Sequence, residues 1–292
     1  MLILFLQAAV SAVNQVWCGA IVKKDLTSVK RNISMLIAFL VMCCSLLGQP
    51  AAIAEQIPVR YTEGVTHGFL VVRTQEGEVI AHGELDQVAR NGRVTDHVLF
   101  RFKDGSSHEE TTIFSQRGSF RLISNRVVQK GPSFKKPSDT FIEASRSQVT
   151  VSFTDDGKEK VIRKRLELPA DVANGLMLTL AKNIQPGTPQ TTVSMLVGTE
   201  KPRLVKLVIS PQGEETFEFG PISRKVLHYV VKVEIGGAAG AVARLVGKQP
   251  PDSHIWVARG EAPTFLRSAG PFYEEGPIWR VELAAPTPPP RD

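Results

Sequence analysis

One glycine-rich stretch, GGAAGAVARLVGK at 236–248, has the composition of a phosphate-binding loop. Such a loop follows the pattern G-x-x-x-x-G-K-[ST], in which backbone N–H groups surround the phosphates and a hydroxyl binds magnesium. Here Val242 stands where the first glycine is required, and Gln249, which has no hydroxyl, follows the Gly-Lys pair. The dinucleotide pattern G-x-G-x-x-G fails as well, because Ala238 occupies its second glycine position. The sequence predicts no nucleotide site, and we expect an apolar connection that either caps one end of a sheet or covers a cavity as a lid.

Other catalytic patterns are also incomplete. The stretch HEETT, which begins at His108, lacks the second histidine of a metalloprotease helix, because Thr112 stands at that position. No G-x-S-x-G elbow of a hydrolase occurs. The six histidines are scattered singly, and the carboxylate pairs Glu109–Glu110 and Asp155–Asp156 are typical of turns and solvent-facing positions. We therefore predict a non-enzymatic protein with no catalytic residue, metal ligand or cofactor. A hydrolase with an unrecognised site is the alternative, ranked below the two binding functions described at the end of this section.

The stretch HIWVARGEAPTFLRSAGPFYEEGPIWRVEL at 254–283 is the richest in aromatic residues. It contains Trp256 and Trp279, with Arg259 and Arg280 close to them in sequence. The aromatic side chains either plug the closing end of a sheet or line the mouth of a ligand cavity, where Arg259 or Arg280 would meet an acidic head group. The sequence leaves both interpretations open.

The elements that position these residues are mostly strands. Apolar residues alternate with polar ones in runs such as VTDHVLFRFK, QVTVSFT, RLVKLVIS and VLHYVVKVEI, which is typical of half-buried antiparallel strands. Asn-Gly and Asp-Gly turns separate the runs at short intervals. About a dozen strands joined in this way form a meander. The predicted fold is mainly β: a curled antiparallel meander sheet, or a half-open barrel, with one packed helix.

That helix is predicted over LPADVANGLMLTLAKN at 168–183. Pro169 suits a first turn and Lys182 a last turn, and apolar residues recur at helical spacing. Gly175 should weaken the helix by about 1 kcal/mol relative to alanine. We expect the helix to pack on the concave side of the sheet.

Residues 1–54 have the layout of a leader. A basic stretch precedes the apolar run ISMLIAFLVMCCSLLG, and small residues precede Glu55, which is the order of a secretory signal. The apolar run is short for a membrane span, which needs about 20 residues. We expect export to the periplasm or the cell exterior, with an uncleaved N-terminal anchor as the alternative. A second apolar stretch precedes the basic one, so we expect translation to start downstream, for instance at Val22.

The rest of the chain is predicted to be one β-rich domain, 55–285, with a proline-rich tail at 286–292. All three cysteines lie in the leader, so this part has no disulfide and no cysteine-metal site. Four of the 35 lysines and arginines and one of the 29 acidic residues also lie in the leader, which leaves a net charge near +3. The basic residues are dispersed, and we expect no nucleic-acid partner.

One basic cluster, KEKVIRKRLE at 158–167, is dense. Strand alternation puts Arg163 and Arg165 on one face and Lys160 and Lys164 on the other. The cluster is either a solvated strand or a contact for anions or lipid head groups.

A leader, a cysteine-free remainder, a long meander and the single helical stretch LPADVANGLMLTLAKN together resemble bacterial secreted curled-sheet domains. The periplasmic lipoprotein carriers, which hold acyl chains between a half-open barrel and a helical lid, are the best understood of them. The resemblance is in architecture only, and it implies a hydrophobic cavity without assigning any residue.

The predicted function is the binding of a lipid, acyl chain or other apolar ligand on the concave side of the sheet. A helix of about 16 residues spans only about 24 Å, which is too short to cover the apolar face of a dozen strands. Barrel closure, a partner or a ligand must cover the rest, and each buried methylene contributes about 0.8 kcal/mol. The alternative is a structural or assembly protein of the cell envelope that docks another protein. The candidate residues of the apolar row, for each of which plain core is the favoured interpretation and ligand contact the alternative, are Phe100, Phe102, Phe153, Leu207 and Tyr229.

Overall fold

The computed structural model describes residues 56–155, 157–219, 222–234 and 250–284. They belong to one compact unit, Ala54–Asp292. The predicted leader, the whole glycine-rich stretch with its lid or cap, and the proline-rich tail lie outside the described residues.

The described residues form a single antiparallel sheet of fourteen strands, which confirms the mainly β prediction. Consecutive strands are neighbours throughout, and β1 also pairs with β14, so that β8 and β9 stand at the two ends of the order. The strands are β1 (Thr66–Arg73), β2 (Val79–Arg90), β3 (Arg93–Phe102), β4 (Ser107–Arg117), β5 (Ser119–Lys130), β6 (Ser138–Glu143), β7 (Gln148–Asp155), β8 (Lys158–Arg165), β9 (Thr191–Val197), β10 (Arg203–Phe219), β11 (Ile222–Glu234), β12 (Ser253–Ala258), β13 (Thr264–Pro271) and β14 (Ile278–Ala284).

The sheet curls so that its two ends approach each other without pairing as strands. The Lys164 ammonium of β8 donates a hydrogen bond to the Pro202 carbonyl, before β10, at 3.2 Å. Gly198, at the end of β9, lies so close to β6 that a Cβ there would be 2.8 Å from Thr140 Oγ1. The concave face is thereby folded into an interior.

Two apolar clusters fill much of this interior. The first is built by β3 to β7, β9 to β12 and the helical segment, and it includes Phe114, Ile142 and Leu176. The second lies near the loops that follow β5 and β13, where Phe134 and Trp279 are buried together with Phe102. Phe102 lies 5.1 Å from Trp279 and 5.4 Å from Phe134, ring centre to ring centre. Burial of such aromatic side chains dominates core energetics.

The helix, α1 (Met177–Asn183), is shorter than predicted. The residues before it pair with β9 instead: the Ala173 amide donates to the Ser194 carbonyl, and the Ser194 amide donates to the Asp171 carbonyl. Asn174 also exchanges side-chain hydrogen bonds with the backbone of Leu196. These bonds satisfy the otherwise exposed edge of β9, so the edge strand recruits the first half of the predicted helix.

An extended segment, 56–65, precedes β1 and crosses one end of the sheet. Its Val59 amide donates to the Gly118 carbonyl in the β4–β5 turn. The Arg60 and Tyr61 amides both donate to Asn183 Oδ1 at the end of α1. The segment therefore ties the helix to the strand turns at this end.

Candidate functional site

The inward-facing residues of β2 to β5 form three successive rows across the sheet. The rows follow from the strand register, because residues that pair across strands share a face. Row A contains Gly83, Phe100, His108 and Gln129; row B contains Leu85, Val98, Glu110 and Val127; row C contains Gln87, Asp96, Thr112 and Asn125.

Row B differs from its neighbours in exposure. All four of its residues are partly exposed, whereas row A is buried throughout and row C is buried except at Asp96. On β1, Gly68 continues row B by pairing with Leu85, and no heavy atom would lie within 4 Å of a Cβ built on it. The concave face is thus less completely covered along row B than in the rows on either side of it, and we call this part of the face the concave cleft.

The turn that leads into α1 packs on row C, beside the cleft. Gly175 has φ +70°, and a Cβ there would overlap Thr112 Oγ1 and lie 2.8 Å from Asn125 Nδ2. Only glycine permits both the backbone angle and this close approach. The sequence pattern predicts Gly175 as a weak position within the helix, but it lies before the helix in the structure.

The helix presents one apolar and one charged residue on the same face. Leu178 is 37% exposed, and Lys182, one turn later, forms an ion pair of 2.6 Å with Glu63. Both partners are largely buried, with side chains 17% and 9% exposed. Gln87 of row C donates to the second oxygen of the Glu63 carboxylate at 3.1 Å.

Asp96 lies beside these charged residues, and one of its carboxylate oxygens has no hydrogen-bond partner among the described residues. This oxygen is Oδ1, and it is buried. Burial, with a smaller contribution from the Glu110 carboxylate, raises the pKa of Asp96 to about 7, although Lys182 acts in the opposite direction. The carboxyl therefore exchanges its proton near neutral pH.

Glu110 places a carboxylate in row B, among three apolar side chains. Asn125 Nδ2 donates to its Oε1 at 2.7 Å. Burial raises the pKa of Glu110, and the Asn125 hydrogen bond partly offsets this effect. The solvent-facing interpretation of Glu109–Glu110 is wrong for Glu110, because the register turns it inward while Glu109 faces outward and pairs with His97 at 2.9 Å.

His108 closes the opposite side of the cleft, in row A. Its ring lies 5.0 Å from that of Phe272, and its Nδ1 lies 3.1 Å from Gln129 Nε2. Burial lowers the pKa of His108 to about 4, so it stays neutral at physiological pH and Nδ1 accepts the hydrogen bond.

The predicted apolar residues divide between the two clusters. Phe153, Leu207 and Tyr229 are buried in the first, and Phe100 and Phe102 in the second. None of the five lies in row B, although Phe100 stands directly beside it in row A. Their burial is that of core residues.

The aromatic stretch is split between the two faces of the sheet. Trp279 points inward and belongs to the second cluster. Trp256 points outward, where it stacks on His228 at 4.5 Å and donates to Glu215 at 2.9 Å. Arg259 pairs with Glu214.

Arg280 lies on the same face of β14 as Glu282, opposite to Trp279 and Val281. The structure therefore does not bring the two tryptophans and the two arginines together at one mouth.

A second concavity lies on the convex face. It is a groove of about 420 Å³ over β4 to β8, lined among others by Glu109, Arg126, Val128 and Asp139. Arg126 and Asp139 form a hydrogen-bonded ion pair across it at 2.6 Å. This pair neutralises two of the charged groups that line the groove.

Row B was missed by the sequence analysis, although one feature indicates it. Three of its four members, Leu85, Val98 and Val127, are ordinary strand residues. Glu110 is not, because the period-two alternation of HEETTIF places it on the same inner face as Phe114. A charge in phase with an apolar face is unusual and marks a functional candidate.

Comparisons with known proteins assign neither a family nor a function to this chain. No family model matches the chain, and no curated protein matches it. Among solved structures, the chain is similar to a β-barrel-like protein of a domain of unknown function, DUF1849, from Brucella abortus, with 10% identity and a TM-score of 0.42. The similarity covers 77% of this chain and 98% of that one. The resemblance to lipoprotein carriers stays a prediction.

Within the residues described, no group of three or more histidine, cysteine, aspartate or glutamate residues is placed to hold a metal ion. No helix in the same part of the chain is long and apolar enough to cross a membrane.

Proposed function

We propose that this protein binds an apolar ligand, such as a lipid or acyl chain, in the concave cleft. The observation that carries the proposal is the exposure of row B between two buried rows. Apolar side chains on an inner sheet face are normally covered, whereas Leu85, Val98 and Val127 are covered only in part: Leu85 and Val98 pack against the second cluster and stay partly exposed, and so does Val127. An alkyl chain lying along row B would remove this surface from water and gain about 0.8 kcal/mol per buried methylene.

The contents of the cleft favour binding over chemistry. Its floor is mainly apolar, with a few polar groups at its sides, which is the usual composition of a small-molecule site. Among the described residues, the inward carboxyls belong to no group of three or more histidine, cysteine, aspartate or glutamate residues that could hold a metal ion. We therefore propose a non-enzymatic, exported protein; export rests on the signal-like pattern of the leader.

The neighbouring valines of β5 provide the test. Val127 faces the cleft and Val128 faces the convex groove, and both are partly exposed. A fluorescent apolar probe should bind the full chain, and Val127→Trp should weaken this binding about tenfold or more by filling the cleft, while Val128→Trp should leave it unchanged. Circular dichroism checks that both variants fold, and Val127→Phe provides a milder change if Val127→Trp does not.

Two results would overturn the proposal. If no apolar probe or chain binds, the cleft has no such role. If Val128→Trp abolishes binding and Val127→Trp does not, the convex groove is the site.

The alternative, an assembly protein of the cell envelope, is favoured by β8. This end strand is exposed at seven of its eight positions and carries five lysines and arginines. Exposed apolar residues, Val161 on β8 and Phe141 on β6, lie near them. Association of the chain that rises with concentration, without probe binding, would support this second function.

A further inference from the structure

The concave cleft is not uniformly apolar, because Glu110 stands in row B between Val98 and Val127. The described residues offer this carboxylate one side-chain hydrogen bond, from Asn125. A carboxylate has about four acceptor positions, so Glu110 retains acceptor capacity toward the cleft.

A second carboxylate with spare capacity lies in the adjacent row C. Asp96 Oδ1 is buried and accepts no hydrogen bond from the described residues. The charged groups that act on Asp96 are Glu110 of β4, Glu63 of the segment 56–65, Lys182 of α1 and His97 of its own strand. Lys182 is already paired with Glu63, and His97 with Glu109 on the outer face. The inner group thus holds three carboxyls and one ammonium, with the acidic excess at Glu110 and Asp96.

We propose that the ligand of the concave cleft is a long-chain amphiphile with a protonated amine, which binds Glu110 and Asp96 while its alkyl chain lies along Leu85, Val98 and Val127. This inference rests on the proposed function. A protonated primary amine has three N–H donors and no acceptor, and therefore complements two carboxyls that retain acceptor positions. Its charge-assisted hydrogen bonds are about twice as strong as neutral ones.

A ligand with a carboxylate head group does not fit. It would bring a third negative charge to Glu110 and Asp96, and like charges at short distance in a partly buried site disfavour ionisation. An uncharged alcohol would fill the apolar row but leave the acidic excess unpaired.

The protonation of the two carboxyls gives the binding a characteristic pH dependence. Burial holds both pKa values above their usual range in the absence of a cation. An ammonium group favours the ionised carboxyls, so its binding releases protons and strengthens as pH rises through the range around pH 7 in which Asp96 ionises. Binding of an uncharged alcohol should change little over this range.

The test compares three amphiphiles that share one straight alkyl chain and differ in their head group: a primary amine, a primary alcohol and a carboxylate. Each displaces a fluorescent apolar probe from the full chain, at concentrations below micelle formation. We expect the amine to bind about tenfold or more tightly than the alcohol, and the carboxylate to bind most weakly.

Variants of the two neighbouring glutamates separate the cleft from the rest of the surface. Glu110→Gln should remove most of the advantage of the amine and leave the alcohol unchanged. Glu109→Gln, which alters the outward-facing neighbour, should retain the wild-type order and serves as the control.

The test distinguishes failure of the proposed function from failure of the amine inference. If none of the three amphiphiles displaces the probe, the proposed function fails. If the alcohol binds and Val127→Trp blocks it, but the amine has no advantage or the carboxylate binds most tightly, the cleft is an apolar site and the amine inference is wrong. An amine advantage that survives Glu110→Gln would also refute the inference.

Discussion

Replacement of Gly175 by alanine tests whether the turn before α1 holds the polar side of the concave cleft. Gly175 has φ +70°, and a Cβ at this position would overlap Thr112 Oγ1. Asn125 Nδ2, which donates to both Thr112 and Glu110, would lie 2.8 Å from the new atom. The substitution must therefore move either the turn or the two row C side chains.

The cost has two separable parts. An alanine at positive φ loses about 1 kcal/mol relative to glycine, wherever it stands. Displacement of Thr112 and Asn125 breaks one or both of the hydrogen bonds that Asn125 donates, and a buried polar group left unsatisfied costs about 1–3 kcal/mol. We expect Gly175→Ala to lower the free energy of unfolding by about 3 kcal/mol in total, of which about 2 kcal/mol comes from the close approach.

Gly118 supplies the matched control. It has φ +73°, and no heavy atom would lie within 4 Å of its Cβ, so Gly118→Ala carries only the backbone part. Urea unfolding of the full chain, followed by tryptophan fluorescence, measures both variants against the wild type. If Gly175→Ala is destabilised by no more than about 0.5 kcal/mol beyond Gly118→Ala, the turn does not constrain row C and the reasoning is wrong.

Two further variants test the charges beside the cleft. Lys182→Met leaves the Glu63 carboxylate, whose side chain is 9% exposed, without its ammonium partner, and should lower the free energy of unfolding by about 3 kcal/mol. The double variant with Glu63→Gln should recover most of this loss in urea unfolding. A double variant no more stable than Lys182→Met would contradict the expectation. Asp96 has a pKa of about 7 in the folded protein against its usual 3.8. Between these two pH values the folded state retains a proton that the unfolded chain has released. The free energy of unfolding should therefore fall as pH rises from 3.8 to about 7. The slope contributed by Asp96 is at most about 1.4 kcal/mol per pH unit and should be absent in Asp96→Asn, so equal slopes in variant and wild type would refute it.

The strands were predictable because their alternation is local. Phe100 and Phe102 lie on the inner face together with Val94, as the pattern VTDHVLFRFK predicts. Likewise, Arg163 pairs with Thr150 and Lys164 with Val149, which confirms the expected separation of the basic residues of β8 between two faces. Period-two patterning determines which side chains share a face, and fourteen strands repeat it.

The length of α1 was not predictable from local spacing. Val172, Leu176 and Leu180 are all buried, as a helix with that spacing would require. However, Val172 reaches its place through a parallel bridge to Ser194 of β9. The backbone groups at the β9 edge lie far away in sequence, and hydrogen bonds to them outweigh the helical preference of residues 168–176.

The concave cleft was not predictable either, because it depends on cross-strand register. Each member of row B lies on a different strand, and the rows align only after three hairpins fix how the strands pair. In addition, a bulge between Ile113 and Phe114 shifts the pairing register of β4 and β5 beyond row C, on the side where the first cluster lies. A single sequence gives the face of each residue but not its row.

Glu110 also accounts for why the two apolar clusters do not merge across row B. The aromatic residues of the second cluster and the aliphatic residues of the first could approach only by covering the Glu110 carboxylate, and burial of a carboxylate without a cation costs several kcal/mol. Such a collapse would mainly bury the side chains of Leu85, Val98 and Val127. Each contributes about 1.5–3 kcal/mol when it is fully buried, so only full burial gives a gain comparable to the cost of burying the carboxylate. Glu110 therefore opposes the full burial of row B. The cation-bearing ligand that we propose would remove this opposition, since it would neutralise the carboxylate and cover the apolar row in one step.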